Sequence, residues 1–224
     1  FINSVPHISF VYGQKQVDFL KSRFAGMVVH PFFSEMEYSE DRARIREWAP
    51  LLMEGREGMP GAAIRMKAGT DVNFGELSRK LIHWLGEQEG CSFHSSNRIT
   101  DLNRSADGWE LTVQDLKAGT TRQRLAKFVF IGAGGGSLPL LQKAGVPEIN
   151  GYGAFPIGGQ WLICDDPEIV KKHEAKVYGL SPGPAPTMAV PHLDSRWCEG
   201  KKTLLFGVYA AWPTKFLRCG VSFL

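Results

Sequence analysis

A short apolar run that breaks into a glycine-rich loop constrains the fold more than any other stretch. Residues 128–131 read FVFI and residues 132–136 read GAGGG. An unbroken apolar run of this length is typical of a strand buried on both faces, as in the parallel sheets of α/β proteins. Glycines allow positive φ and let another molecule approach the backbone. We therefore predict a strand, a glycine loop and a short helix that Ser137 caps.

The glycine loop leaves two interpretations open. A helix that begins just after a strand and a glycine loop can bind an anion such as a cofactor phosphate, whereas the alternative is a tight turn without a ligand. The full dinucleotide fingerprint needs G-x-G-x-x-G and an acidic residue about 20 positions later. Here Ser137 takes the last glycine position, and residues 151–156 read GYGAFP. We interpret the loop as a later crossing of a nucleotide-binding sheet whose first crossing is missing.

Composition is ordinary for a soluble globular protein and argues against a nucleic-acid partner. The chain has 224 residues, of which 43% are hydrophobic and 22% charged, and a net charge of +3. No Lys/Arg run accompanies this small charge, which excludes the usual signature of nucleic-acid binding. The cysteines lie far apart, so no metal site is predicted and reduced thiols in a cytoplasmic protein are expected.

Neither a membrane-spanning segment nor a signal peptide is recognisable. No stretch reaches the roughly 18 apolar residues that span a bilayer. The sequence begins at Phe1 and stops at Leu224, just after a predicted strand. We therefore expect an internal piece of a longer protein, lacking both ends.

Periodicity and turn residues predict a mixed succession of helices and strands. The predicted helices span about 14–29, 39–48 and 73–90, with Ser39 or Asp41 capping the second and Asn73 the third. The predicted strands are 5–12, 62–67, 92–102, 109–114, 121–131, 159–164, 187–190 and 204–208. The Asp107-Gly108 pair predicts a hairpin within the second half of this order.

The predicted fold class is mixed α/β, of the α+β type. Residues 69–147 read as part of a Rossmann-like cofactor domain with a β-meander, because strands there lead into the glycine loop. Residues 148–224 carry short strands between Gly/Pro-rich loops and are predicted to form part of an antiparallel sheet domain. Residues 1–68 carry two predicted helices.

Several strings resemble one flavoprotein group. The order of elements is similar to flavoproteins of the D-amino-acid oxidase type. This resemblance implies that residues 69–147 belong to the FAD-binding domain, residues 148–224 to the antiparallel substrate domain and residues 1–68 to the substrate domain or its cap. Within that group, the sequence resembles the malate:quinone oxidoreductase family over about residues 9–220. The most specific strings are EWAPLLMEGR, GTDVNFGEL and HEAKVYG, joined by AKFVFIGAGG, VPHLDSR and LLFGVYA.

The resemblance implies an FAD-dependent oxidation of (S)-malate to oxaloacetate, a reaction of the tricarboxylic acid cycle. Electrons would pass to a membrane quinone, and the enzyme would attach peripherally to the cytoplasmic face of a bacterial inner membrane. The family's opening glycine fingerprint and its closing segment are absent from this sequence. The family often has GFP where this chain has residues 154–156, and LLFGPFA where it has LLFGVYA.

The string VPHLDSR holds the densest set of groups for oxidising a 2-hydroxy acid. A base must take the hydroxyl proton and cations must hold the carboxylates. His192 is the candidate catalytic base, because its ordinary pKa is near 6.5. Arg196 is the candidate partner in catalysis and the candidate carboxylate fork. Asp194 shares their face only if the strand persists that far.

Other candidates lie in HEAKVYG and near the end of the chain. Lys176 and Tyr178 are candidate substrate-binding residues, with exposure to solvent as the alternative. Lys215 is a further candidate cation for a substrate carboxylate. His173 is a weaker candidate base, and a structural role is the preferred interpretation.

The resemblance also implies which residues contact FAD. It points to Gly132, Ala133 and Gly134 in the glycine loop, and to the backbone of Ile99.

Two other functions stay open at this point. One is a related flavoenzyme acting on another 2-hydroxy acid or an amino acid. The other is a truncated domain without catalysis. Malate needs two carboxylate clamps, so two cations converging near His192 would favour the first interpretation.

Overall fold

The computed structural model describes residues 1–153, 157–180, 190–198 and 200–211. Two compact units are present: the first combines Phe1–Leu81 with Gly158–Ala211, and the second covers Ile82–Ile157. The functional boundaries predicted at residues 68 and 147 stay a prediction.

The described residues form helices and strands in a mixed order, which confirms the predicted fold class. The helices are α1 (Gln14–Met27), α2 (Arg42–Trp48), α3 (Phe74–Gly86), α4 (Ser137–Lys143) and α5 (Pro167–Val170). The strands are β1 (Ile2–Ser4), β2 (His7–Tyr12), β3 (Glu37–Ser39), β4 (Gly61–Met66), β5 (Thr70–Val72), β6 (Asn97–Ser105), β7 (Gly108–Asp115), β8 (Thr121–Ala126), β9 (Gly158–Cys164), β10 (Lys176–Tyr178), β11 (His192–Cys198) and β12 (Lys201–Ala211).

A mixed sheet organises the first unit. Its described strands follow the order β3-β4-β2-β10-β11-β12-β9. Every neighbouring pair is antiparallel except β2 with β10, which run parallel. The short strand β10 therefore joins the first part of the chain to the last part, and it brings residues 7–9 beside residues 176–178.

The two faces of this sheet are covered differently. On one face α2 packs its buried Ile45 and Trp48 against Ile8, Phe10 and neighbouring strand residues. On the other face α1 covers only the β2–β4 side of the sheet. There Val17 and Leu20 of α1, three positions apart on one helix face, contact Val11, Ala62 and Ile64. The polar side chains of β10 and β11 occupy the same face beyond α1, because side chains alternate along each strand.

The helix caps follow the predicted chemistry. Asp41 caps α2, since its Oδ1 accepts a hydrogen bond from the Ala43 N–H at 3.0 Å. Asn73 precedes α3, and its Oδ1 accepts from the Glu76 N–H at 3.0 Å. Both caps confirm the sequence prediction, whereas α3 ends at Gly86 and not at residue 90.

The second unit contains a three-stranded antiparallel sheet of β6, β7 and β8. A two-residue turn joins β6 to β7, so the predicted hairpin is confirmed, with Gly108 as the first residue of β7. Gly108 has φ of +142°, and a Cβ there would lie 2.4 Å from the Ala126 carbonyl oxygen. The register therefore requires glycine at this position.

The predicted strand at residues 128–131 is wrong. The strand β8 ends at Ala126, and the side chains of Phe128 and Phe130 are 79% and 86% exposed. A buried strand needs hydrogen-bonding neighbours on both sides, and no described strand pairs with these residues. The apolar run thus favours a strand. A strand forms only where neighbouring strands pair with it, and the local sequence cannot supply those neighbours.

The predicted Ser137 cap is also wrong. Gly136 is the N-cap of α4, and Ser137 is its first residue. The Ser137 hydroxyl instead accepts a hydrogen bond from the Ala133 N–H at 3.1 Å, which closes the glycine loop on itself.

Among the described residues, no helix is both long and apolar enough to cross a membrane. Three described cysteines, Cys91, Cys164 and Cys198, are free thiols. Residues 187–189 of one predicted strand lie outside the described residues.

We expect Ile45→Ala to lower the free energy of unfolding by about 2–5 kcal/mol, because it leaves a cavity between α2 and the sheet. Ile45 is 1% exposed. Urea unfolding followed by circular dichroism measures the change. The matched control is Ile163→Ala in β9, where the side chain is 68% exposed and the loss should stay below about 1 kcal/mol. Equal losses in the two variants would contradict the packing described above.

Candidate active site

The buried carboxylate of Asp71 joins two parts of the chain that are far apart in sequence. Asp71 lies in the middle of β5, opposite Asn3 of β1, and is 1% exposed. Its Oδ1 accepts hydrogen bonds from Lys176 Nζ at 2.9 Å and from Arg196 Nε at 3.3 Å. Its Oδ2 accepts the Trp197 backbone N–H at 3.1 Å. One carboxylate thus fixes Lys176 and Arg196. These two cations share one face of the sheet with Tyr178, His192 and Asp194, and we call it the polar face.

The hydrogen bonds to Asp71 keep it ionised. Burial by itself raises the pKa of this carboxyl, but donation from Lys176, Trp197 and Arg196 outweighs burial and holds the pKa below its ordinary value. The ion pair with Lys176 is itself buried, since Lys176 is 8% exposed.

Cross-strand pairing places the remaining polar groups in two rows. Lys176 lies between His7 on β2 and Asp194 on β11. Tyr178 lies opposite His192 in the next row on the same face. Asp194 is buried, and its Oδ1 has no hydrogen-bond partner within the described part of the chain. Burial is the main reason that the pKa of Asp194 is raised, with nearby Asp71 adding to it against Lys176 and Arg196.

Aromatic rings form a contact chain across these rows. His7 stacks on Tyr178 with 4.8 Å between ring centroids. Tyr178 contacts His192 at 3.8 Å, and Trp161 of β9 contacts His192 at 5.7 Å. These ring contacts hold the His192 imidazole between Tyr178 and Trp161, so packing fixes its orientation.

Both imidazoles are neutral near neutral pH. Burial is the first cause that lowers the pKa of His192, followed by electrostatic repulsion from His7, when that ring is protonated, and from Lys176. Burial and Lys176 lower the pKa of His7. Burial, with Asp194, raises the pKa of Tyr178, so its hydroxyl keeps its proton. The face therefore offers neutral bases beside proton donors.

Two cavities adjoin these residues. One of about 470 Å³ is lined by His192 and Arg56 together with apolar and aromatic side chains such as Phe10 and Phe206. Another of about 380 Å³ is lined by Arg196, Arg79 and Trp197. Both volumes suit a small ligand. In the part of the chain that the structure describes, the two terminal nitrogens of Arg196 have no protein partner, so they can bind a carboxylate.

The structure brings most of the predicted site residues together. His192, Arg196, Lys176 and Tyr178 share one face, and Asp194 joins them because β11 persists to Cys198. Their roles stay predictions. Lys215 lies outside the described residues. No group of three His, Cys, Asp or Glu side chains among the described residues could hold a metal ion.

The predicted cofactor contacts lie in the second unit. Ile99 pairs with Val113 between β6 and β7. Gly134 has φ of +55°, and neither Gly134 nor Gly135 has an atom within 4 Å of the position that a Cβ would take. The loop is therefore open to close approach by another molecule, which fits the backbone contacts that FAD would need.

The buried His173 matches the structural role preferred from sequence. Its side chain is fully buried, and Nε2 lies 3.0 Å from the Leu193 carbonyl oxygen. Burial lowers its pKa, so a neutral ring that donates to this carbonyl is the stable form.

Sequence reasoning missed Asp71, His7 and Trp161. Asp71 sits in the string GTDV, where an acidic residue between strand formers is a signal for a buried ion pair. His7 and Trp161 carry no local signal, because only strand pairing brings them to His192.

Comparison with known proteins supports the resemblance. The family model described as malate:quinone oxidoreductase (Mqo) matches residues 1–223. The chain belongs to the malate:quinone oxidoreductase family. It is similar to "Probable malate:quinone oxidoreductase 2" of Pseudomonas aeruginosa, with 52% identity over 225 residues, 100% of this chain and 44% of that protein.

Two further relatives show the same extent of similarity. "Probable malate:quinone oxidoreductase" of Bradyrhizobium diazoefficiens is 52% identical over 98% of this chain and 43% of its own length. "Probable malate:quinone oxidoreductase 1" of Pseudomonas putida is 51% identical over 98% of this chain and 44% of its own length. The chain thus spans less than half the length of these curated relatives.

Replacing Asp71 by Asn should cost about 3–5 kcal/mol of unfolding free energy, because Lys176 loses its buried counter-charge. The pKa of Asp71 is lowered on folding, so its stabilisation is complete above the ordinary Asp range and disappears as pH falls through the lowered value. The variant should lose that part of the acid dependence. Urea unfolding at neutral and acid pH measures both effects.

The control for this change is Glu168→Gln. Glu168 pairs with Lys171 at the surface, where the two side chains are 77% and 61% exposed, so the loss should be below about 1 kcal/mol. An Asp71→Asn variant as stable as this control would show that the buried carboxylate does not hold the face together.

Proposed function

We propose that this chain contributes the substrate-binding face and part of the flavin site of an enzyme that oxidises (S)-malate to oxaloacetate and reduces a quinone. Family membership supports the proposal, as do the relatives' names, which specify malate and quinone. The observation that carries it is the polar face, where neutral His192 lies on the same strand and the same face as Arg196.

The face supplies the groups that this oxidation needs. His192 accepts the proton of the malate hydroxyl as the hydrogen on the same carbon leaves as hydride. The base is effective because its lowered pKa keeps the imidazole unprotonated near neutral pH. Tyr178, in ring contact with His192, donates a hydrogen bond to the oxygen of the substrate and helps to orient it.

Arg196 and Lys176 contribute to carboxylate binding in different ways. Arg196 uses Nε for Asp71 and leaves its terminal nitrogens for a substrate carboxylate. Lys176 is buried against Asp71, so it acts through its positive charge. Lys215 remains a proposed further contact.

The glycine loop holds the cofactor in this proposal. Gly132, Ala133 and Gly134 offer backbone that another molecule can approach closely, and the Ile99 backbone is a further contact. Bound FAD supplies the acceptor for the hydride, since no side chain can take that role.

We expect the enzyme to act at a membrane surface. Quinones that accept electrons from such enzymes reside in the bilayer, so we propose peripheral attachment at the cytoplasmic face of the bacterial inner membrane. The bacterial origin of the relatives agrees with this placement.

A related flavoenzyme that acts on a 2-hydroxy monocarboxylate is the second candidate. One observation favours it: Asp71 already neutralises part of the charge of both Lys176 and Arg196. Because Asp71 takes up part of the charge of Lys176 and Arg196, these two cations fit one carboxylate better than two.

The visible absorption spectrum tests the proposal directly. The purified chain is mixed with FAD, and (S)-malate or (S)-lactate is then added. A bound flavin band near about 450 nm that bleaches with malate and not with lactate is the expected result. Bleaching with lactate alone would support the second candidate. A flavin that binds and bleaches with neither substrate would refute malate oxidation by this chain.

The acid limb of malate oxidation should lie below pH about 6.5, the ordinary His value, because His192 has a lowered pKa and stays unprotonated there. His192→Gln should lower kcat/KM by about 10²–10⁴ and remove this limb. The measurement is kcat/KM for malate against pH. The control is His83→Gln on α3, where the histidine is 81% exposed. An unchanged acid limb in the His192 variant would rule out its role as the base.

A further inference from the structure

A third cavity lies between α1 and the sheet, on the same face as the polar rows. Its volume is about 350 Å³, within the range of small-molecule sites. Its walls are mainly apolar, and six of the lining residues are Phe19, Leu20, Met27, Met36, Ile64 and Met66. Methionine and phenylalanine side chains adapt to flat, polarisable ligands.

Hydrogen-bonding groups line the sheet side of this cavity. They are His7, Ser9 and Tyr178. The neutral His7 ring has one N–H donor, and Tyr178 keeps its hydroxyl proton because burial raises its pKa. His7 and Tyr178 stack on each other, and Tyr178 also contacts His192. The cavity therefore adjoins the candidate site through two shared rings.

The chemistry of the lining excludes malate as the ligand here. A dianion would need two cations or several donors to replace its water, and Arg23 is the one cationic side chain that lines the described cavity. A flat, uncharged ring with carbonyl acceptors needs apolar walls and a few donors, which is what the cavity offers.

We propose that this cavity binds the ring of the quinone acceptor, with the His7 ring N–H and the Ser9 hydroxyl donating hydrogen bonds to a ring carbonyl. The identity of the ligand rests on the proposed function. The location rests on the cavity itself: apolar walls from α1 and β4, donors from β2, and contact with the His192 ring through Tyr178.

Direct binding tests the proposal without flavin or malate. Decylubiquinone is titrated into the chain, and quenching of tryptophan fluorescence reports binding. This quinone has a fully substituted ring, so it does not add to the exposed thiols of Cys91 and Cys198. Decanol serves as a competitor that has the apolar chain but no ring. Saturable quenching that decanol does not reverse is the expected result.

Two variants locate the site. Ala68 is an exposed turn residue that lines the cavity, and Ala68→Phe should raise the half-saturating quinone concentration about tenfold by filling it. Phe19 is 48% exposed, and Phe19→Ala should weaken binding by removing a wall without disturbing the core. Ala25→Phe introduces the same ring on α1 at an exposed position outside the cavity lining, and it should bind as the parent does.

The outcomes separate this proposal from the proposed function. Quinone binding that Ala68→Phe and Phe19→Ala weaken and Ala25→Phe preserves supports the cavity, even if malate fails to bleach added flavin. Quenching that is absent, or that decanol reverses, overturns the cavity proposal. Equal quinone binding by all three variants also overturns it, even if malate bleaches the flavin. If circular dichroism shows that Ala68→Phe does not fold, the comparison of Phe19→Ala with Ala25→Phe decides whether the quinone binds in this cavity.

Discussion

The buried carboxylate of Asp71 is the constraint on which the polar face depends. A buried lysine and a half-buried arginine on neighbouring strands would repel each other and lose hydration unless an anion lay between them. Asp71 provides that anion from β5, and its second oxygen takes the Trp197 backbone N–H. The cations are therefore held at fixed positions before any ligand arrives. Positioning of this kind is what a carboxylate-binding site needs, because a flexible cation must lose conformational entropy when it binds.

In the sheet of the first unit, one face is packed with apolar side chains and the other carries the polar side chains of the candidate site. One face packs α2 against Ile8, Phe10 and Val177, and it provides the apolar burial that stabilises the unit. The other face is covered by α1 on one side only, and the polar rows lie beyond the helix. Tyr178 lines the cavity beside α1 on this other face, whereas the cavity that His192 lines is bounded by Phe10 and Val177 of the α2 face. The α1 cavity and the polar face share His7 and Tyr178, which gives the structure a physical route to couple two ligands.

Local chemistry made much of the fold predictable. Amphipathic spacing gave α1 its extent, and the side chains of Asp41 and Asn73 capped the following helices as predicted, because a cap depends on residues within one turn. The alternation of β11 also placed His192, Asp194 and Arg196 on one face. The run at residues 128–131 failed for the opposite reason. A buried strand exists through its neighbours, and no described strand pairs with it, so Phe128 and Phe130 remain exposed.

The sequence by itself determined the family, the class of fold and the residues able to do acid–base and carboxylate chemistry, because side-chain type, local spacing and family-specific strings are properties of the chain alone. Only the tertiary structure decided how these residues meet. Parallel pairing of β2 with β10 placed His7 beside Lys176, and antiparallel pairing placed His192 beside Tyr178. It also showed that Lys176 is bound to Asp71, 105 positions earlier in the chain (176 − 71). Contacts across such separations depend on which distant strands pair and how the sheets pack, which no local pattern encodes.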